Sequence, residues 1–157
     1  MLKKTIIVAA LVTSSVATSS VFAGTLKTLV NVNQSSQYLA IGGPGACSID
    51  KLGEAGVVAP GKQNTSHALQ IYAVCNGKLP CQTTLYAFKT DPVQAGKTCT
   101  DGTKIGVSTL TGSSINIFGG VADASVSFNS STIPSGWTIT PMQSIPDAQN
   151  TITFTIK

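Results

Sequence analysis

Arginine is absent from this chain, and histidine, tryptophan and glutamate occur once each, as His67, Trp137 and Glu54. Without the guanidinium fork, phosphate can be met only by lysines, and beyond the N-terminal stretch these are scattered from Lys27 to Lys157. That excludes a nucleic-acid surface, which needs grouped basic residues for counterion release. A single histidine means that any imidazole acid–base or metal chemistry has to run through His67. Carboxylates are sparse too: only Asp50 and Glu54 lie close together, so paired-carboxylate glycoside hydrolysis would need distant partners. The nucleophile-elbow pattern G-x-S-x-G does not occur. After the N-terminal stretch no apolar run reaches membrane-spanning length.

What is present begins with a leader. Lys3 and Lys4, an apolar stretch from Thr5 to Thr13 and small residues closing on Val21-Phe22-Ala23 have the order of a secretory signal peptide over residues 1–23. Cleavage after Ala23 leaves residues 24–157 as one domain, with eight lysines against six acidic residues and a net charge of +2. The expected address is secreted or periplasmic, with no membrane insertion once the leader is removed.

The four cysteines, Cys47, Cys75, Cys81 and Cys99, all lie in the mature part, where export favours oxidation. Three pairings are possible. The tight stretch CNGKLPC favours Cys75 with Cys81, leaving Cys47 with Cys99; the competing set is Cys47 with Cys75 and Cys81 with Cys99. On loop entropy the short bridge is worth roughly 2 kcal/mol and the long one roughly 4. No CxxC knuckle is present to favour zinc, and neither a metal nor a cofactor is expected.

Alternation of apolar and polar residues dominates the rest. NTITFTIK places Ile152, Phe154 and Ile156 on one side and threonines on the other. Similar stretches run over 26–32, 37–41, 68–75, 82–88, 103–110, 114–118, 124–128 and 136–140, and no helix competes with them. In ALQIYAVC, Cys75 shares parity with Leu69, Ile71 and Ala73 and should point inward. Asn76-Gly77, Asp101-Gly102, Pro134-Ser135-Gly136 and Ile145-Pro146-Asp147 mark turns. The expected fold is all-β: a single antiparallel β-sandwich, with a β-barrel as the alternative, held by two disulfides. Residues 42–62, rich in Gly and Pro, read as a long loop or ragged edge.

Motifs with chemical meaning are incomplete. GGPG, at Gly42–Gly45, is similar to the oxyanion loop of proline-iminopeptidase-type α/β hydrolases, but Ile41 stands where a histidine should; a hinge that places Cys47 accounts for the same glycines. GVVAPGKQ matches a phosphate-binding loop except that Gln63 replaces the magnesium-holding Ser or Thr, so a Pro-Gly turn with an exposed lysine is expected. Trp137, Tyr38 and Tyr72 are candidate contacts for a sugar or peptide, since aromatic faces supply area at low entropic cost. Asn33, Asn64 and Asn129 open N-x-S/T triplets.

YAVCNGKLPCQTTLYAF, residues 72–88, resembles short uncharacterised exported proteins of Gram-negative bacteria that carry several cysteines in a β-rich chain. That resemblance implies export and disulfides and no assigned activity. The expected function is therefore non-catalytic: a disulfide-stapled binding protein of the bacterial envelope or secretome, with a protein or glycan ligand. One alternative is a structural or fimbrial subunit that forms a homo-oligomer by strand addition through 26–32 or 152–156. The other is a small hydrolase using His67.

Intact-mass measurement of exported protein should find a chain starting at Gly24; exported material still carrying residues 1–23 would overturn the leader assignment.

Overall fold

The computed structural model describes residues 25–122, 125–144 and 150–157. The leader over 1–23, the start of the expected strand at Ala124 and the Ile145-Pro146-Asp147 turn lie outside the described residues.

The elements in order are β1 (Thr25–Asn33), β2 (Tyr38–Gly42), α1 (Ser48–Leu52), β3 (Val57–Val58), β4 (Gln63–His67), α2 (Ala68–Cys75) and β5 (Cys81–Phe88). There follow β6 (Thr103–Thr111), β7 (Ser114–Asn116), β8 (Gly120–Ala122), β9 (Ser125–Asn129), β10 (Ile139–Ser144) and β11 (Asn150–Ile156). Among the described residues the strands form two open sheets. The six-stranded sheet runs β10-β11-β1-β8-β7, with β4 also on β1, and the five-stranded sheet runs β3-β2-β5-β6-β9. The fold is thus mostly strand, with both sheets open; the barrel alternative is excluded.

Two features depart from an all-β antiparallel fold. First, β1 and β11 pair in parallel, from Leu26 opposite Asn150 to Asn33 opposite Ile156. The two segments expected to be available for addition to a neighbouring subunit are thereby paired with each other. Second, ALQIYAVC is a helix. It buries Ala68, Ile71, Val74 and Cys75, the spacing of a helix face, and leaves Leu69 57% exposed. Over eight residues a period of two and a period of 3.6 both collect Ile71 and Cys75, so the inward Cys75 fits either reading. The chemistry at the end of the segment decides. Asn76 (φ 52) and Gly77 (φ 66) both take the left-handed conformation, and Gly77 N–H donates to Tyr72 O at 3.0 Å. This is a helix C-cap of the Schellman type, not a hairpin turn.

GGPG lies beneath that helix end. Gly45 N–H donates to Val74 O at 3.0 Å, satisfying a last-turn carbonyl that has no partner within the helix. A Cβ on Gly45 would sit 2.2 Å from Ala73 O, and one on Gly43 2.4 Å from Val74 O. The glycines are there because backbone meets backbone, and the turn they form, with Gly43 N–H on Ala46 O, leads into Cys47.

The disulfides are Cys47–Cys99 and Cys75–Cys81, with no free cysteine among the described residues. Each lies within a core cluster. Cys75 and Cys81 pack with Ile71, Leu110 and Val121, while Cys99 packs with Ala40, Ile49 and Phe88. A third cluster joins Leu39, Leu85 and Ile105 of the five-stranded sheet to Ile139 and Ile156 of the other. Both sheets therefore contribute to shared cores. The turn carrying Cys99 is fastened by Asp101, whose Oδ2 accepts from Thr98 N–H (2.7 Å) and Thr98 Oγ1 (3.0 Å). Those bonds, the backbone one foremost, with help from Lys97, hold its carboxyl below the usual 3.8.

Gly45→Ala should destabilise the oxidised protein by about 2 kcal/mol or more through overpacking. Gly61→Ala, at φ +67 with open space around it, should cost only about 1 kcal/mol. Equal losses in urea denaturation would refute the close-approach account of GGPG. Because the Asp101 carboxyl is held low, its stabilising contribution is present above the ordinary carboxylate value and is lost as pH falls through the lowered one. Asp101→Asn should therefore flatten the acid limb of stability against pH and leave the slope between pH 5 and 8 unchanged.

Candidate functional site

Strand β1 reads TLKTLVNVN, and the burial of its polar residues is unexpected. Asn31 and Asn33 are 5% and 1% exposed, whereas Val30 and Val32 are only half-buried. A buried amide needs partners for both ends. Asn33 has them: Nδ2 donates to Gln37 O (2.6 Å) and Val58 O (2.9 Å), and Oδ1 accepts from Ser35 N–H (3.0 Å) and Ser35 Oγ (2.7 Å). Asn31 does not. Its Nδ2 donates to Ser66 Oγ at 3.0 Å, but its Oδ1, fully shielded from solvent, has no hydrogen-bond partner. Leaving such an acceptor unmade costs about 1–3 kcal/mol.

Asn31 lines a cavity of about 50 Å³ whose walls come from both sheets and from α2. Leu29 and Asn31 of the six-stranded sheet, Leu85, Leu110 and Phe128 of the five-stranded one, and Ile71 and Val74 of α2 all line it. None of its lining residues is charged. Its other polar groups are mostly engaged. Thr83 Oγ1 and Ser108 Oγ are paired, and Ser48 Oγ lies 2.6 Å from Ile41 O and 3.0 Å from Gly56 O. The volume suits a few heavy atoms, and a polar, roomy site of this kind is where a buried water or a ligand group is accommodated.

Ala55, in the turn after α1, is the one exposed residue among those lining the cavity. Ala55 O accepts from Asn64 Nδ2 of β4 (2.6 Å) and from Gln70 Nε2 of α2 (2.9 Å), and both bonds are solvent-exposed. All three residues line the cavity. Gln70 is held in turn, because its Oε1 accepts His67 N–H at 3.0 Å at the start of the helix.

The residues singled out from sequence fall elsewhere. Tyr38 packs on the cluster around Phe88 and Cys99, Trp137 is half-buried on the cluster around Leu39 and Ile139, and Tyr72 is 43% exposed on α2. The three lie in separate surroundings, and none of them lines the cavity. Asn33 is fully engaged and buried, so its N-x-S triplet is no surface acceptor. Lys62 is exposed beside Gly61, in a turn between β3 and β4. His67 is exposed at the junction of β4 and α2, and no group of three or more metal-ligating side chains occurs among the described residues. Phe118 stands 93% exposed at the tip of the β7–β8 hairpin, where Asn116 Oδ1 accepts Phe118 N–H (2.7 Å) and Gly119 N–H (3.0 Å).

No protein-family model matches the chain, and no curated protein and no solved structure is significantly similar to it. No helix among the described residues is long and apolar enough to cross a membrane. The site therefore has to be read from its own geometry.

Proposed function

We propose that the protein is an exported, disulfide-stapled binding protein without catalytic activity. In this reading its two sheets stack as a sandwich, and a small neutral ligand, or the neutral end of a larger one, occupies the space between them. The observation that supports it is the uncharged, largely apolar cavity; its one exposed lining residue, Ala55, we take as its mouth, and two exposed hydrogen bonds hold that residue. Exposed hydrogen bonds exchange readily with water and contribute only about 0.5–1.5 kcal/mol each, so this is the cheapest part of the wall to open. A neutral occupant follows from the lining, since a charge placed there would be desolvated without a counter-charge. Secretion into the periplasm or medium agrees with both disulfides, which an oxidising compartment would preserve.

The cavity reading is checked by titrating isotope-labelled, oxidised protein with xenon and with small neutral apolar molecules while following backbone amide resonances. Saturable shifts should concentrate at Leu29, Ile71, Leu110 and Phe128. Ala55→Trp, at an exposed position on the mouth, should abolish them or slow their onset without loss of stability. Absence of any saturable shift at the lining residues, or uptake unaffected by Ala55→Trp, would overturn the reading.

A further inference from the structure

Asn31 and Asn33 are the same residue type two positions apart on the same face of β1, and they are treated differently. All of the hydrogen-bonding capacity of Asn33 that geometry allows is used inside the protein: it ties β1 to the backbone at Gln37 and at Val58 of the other sheet. Asn31 uses its donor end alone. Its acceptor end is enclosed and unpaired, on a residue that lines the cavity. Native proteins leave few such atoms unmet, and an Asn can be replaced by Leu of similar shape with no such loss. An acceptor left unmet on a residue of a largely apolar, uncharged chamber is a feature that would distinguish one neutral ligand from another.

We propose that the cavity selects its ligand through a hydrogen-bond donor: the bound molecule is neutral and apolar, and carries a hydroxyl or N–H group that donates to Asn31 Oδ1. This rests on the cavity being the binding site, as argued above. Ser66 is a positioning residue here. Its Oγ accepts from Asn31 Nδ2, the arrangement in which Oδ1 has no partner. The cavity of about 50 Å³ admits a group of a few heavy atoms. The ligand is therefore either a short aliphatic alcohol or amide, or a longer molecule that inserts a donor-bearing end beneath Ala55. The walls discriminate by a penalty as well as by attraction. A molecule lacking the donor leaves Oδ1 unmet, and a molecule with a carboxylate or ammonium has no counter-charge to meet.

The test compares three probes of equal heavy-atom number, 1-butanol, methyl propyl ether and n-pentane, by amide-shift titration of the oxidised full mature chain. In the unaltered protein 1-butanol should bind more tightly than methyl propyl ether by roughly fivefold, despite the greater cost of removing a hydroxyl from water. In Asn31→Leu that order should reverse, since the hydroxyl then enters without a partner. Ser66→Ala should shrink the preference by releasing the amide, while pentane binding stays unchanged. Equal binding of all three probes, or tighter binding of the ether, would overturn the donor proposal and leave the cavity reading standing. Binding of none would overturn both. Saturable binding of 1-butanol whose preference over the ether persists in Asn31→Leu would place the donor's partner elsewhere and also overturn the proposal. The comparison among probes on the unaltered protein needs no variant to fold.

Discussion

The structure depends on β1 being an interior strand. Its backbone is paired on one edge in parallel with β11, and on the other in antiparallel with β4 over Thr28–Val32 and with β8 at Thr25 and Leu26. A parallel neighbour cannot be reached by a tight turn, and here the chain from Gln34 to Ser144 and beyond separates the two strands. Closing so long a loop costs entropy that grows only slowly with length. Once made, the pairing fixes three things together. It aligns Leu29 and Asn31 as one wall of the cavity, lays β4 beside them, and starts α2 directly from the end of β4 so that the helix covers the chamber.

The core that supports this arrangement is divided among three small clusters, and covalent and polar cross-links join what apolar contact alone leaves loose. Cys75–Cys81 fixes the end of α2 to the start of β5 inside one cluster, and Cys47–Cys99 fixes the chain after GGPG to the turn before β6 inside another. Asn33 does similar work without sulfur: from a strand of the six-stranded sheet its amide donates to Val58 O of the five-stranded one. Ser48 bridges the backbone of Ile41 and of Gly56 in the same manner. Buried and fully satisfied, such networks specify register more sharply than nonspecific apolar contact can.

Strand content was legible from apolar–polar alternation, as around Leu39, Leu85 and Ile105, which share one core. Burial itself does not alternate in β2 and β5, because Ala40, Tyr86 and Phe88 pack on a second core. The alternation fails at three places, for three reasons. ALQIYAVC is too short to separate the helical period from the strand period, and its left-handed Asn76-Gly77 suits a helix end as well as a hairpin. QNTSH has no apolar residue to alternate; it is a strand because β1 offers it a ladder, and that pairing cannot be seen from the segment itself. In β1 the hydropathy pattern points the wrong way, since the valines attract attention while the asparagines are the more buried. That inversion hid the site. Asn33 is met mostly by its own following turn, at Ser35 and Gln37, and by Val58 of β3, whereas Asn31 meets only Ser66 of β4, a pairing that its neighbours in sequence do not reveal. The cysteine pairing was legible because a six-residue separation closing on itself leaves one remaining pair.

Asn31 is also where the demands of stability and those of the proposed binding role diverge. Among the other described residues buried polar side chains are matched, often redundantly: Asn33 makes four bonds, and Gln70 is fixed at both ends of its amide. A leucine at position 31 would fill similar space, remove an unmet acceptor and lengthen the apolar wall formed with Leu29, so packing alone gives no reason for asparagine. The mouth repeats the pattern, since Ala55 is held by two amide side chains whose bonds lie in water instead of by buried apolar contact. An unmet acceptor inside and a weakly latched wall outside each lower the stability of the empty protein. Under the proposed binding role the two features would act together: a ligand that supplied the missing donor would return to the folded state what Asn31 withholds from it.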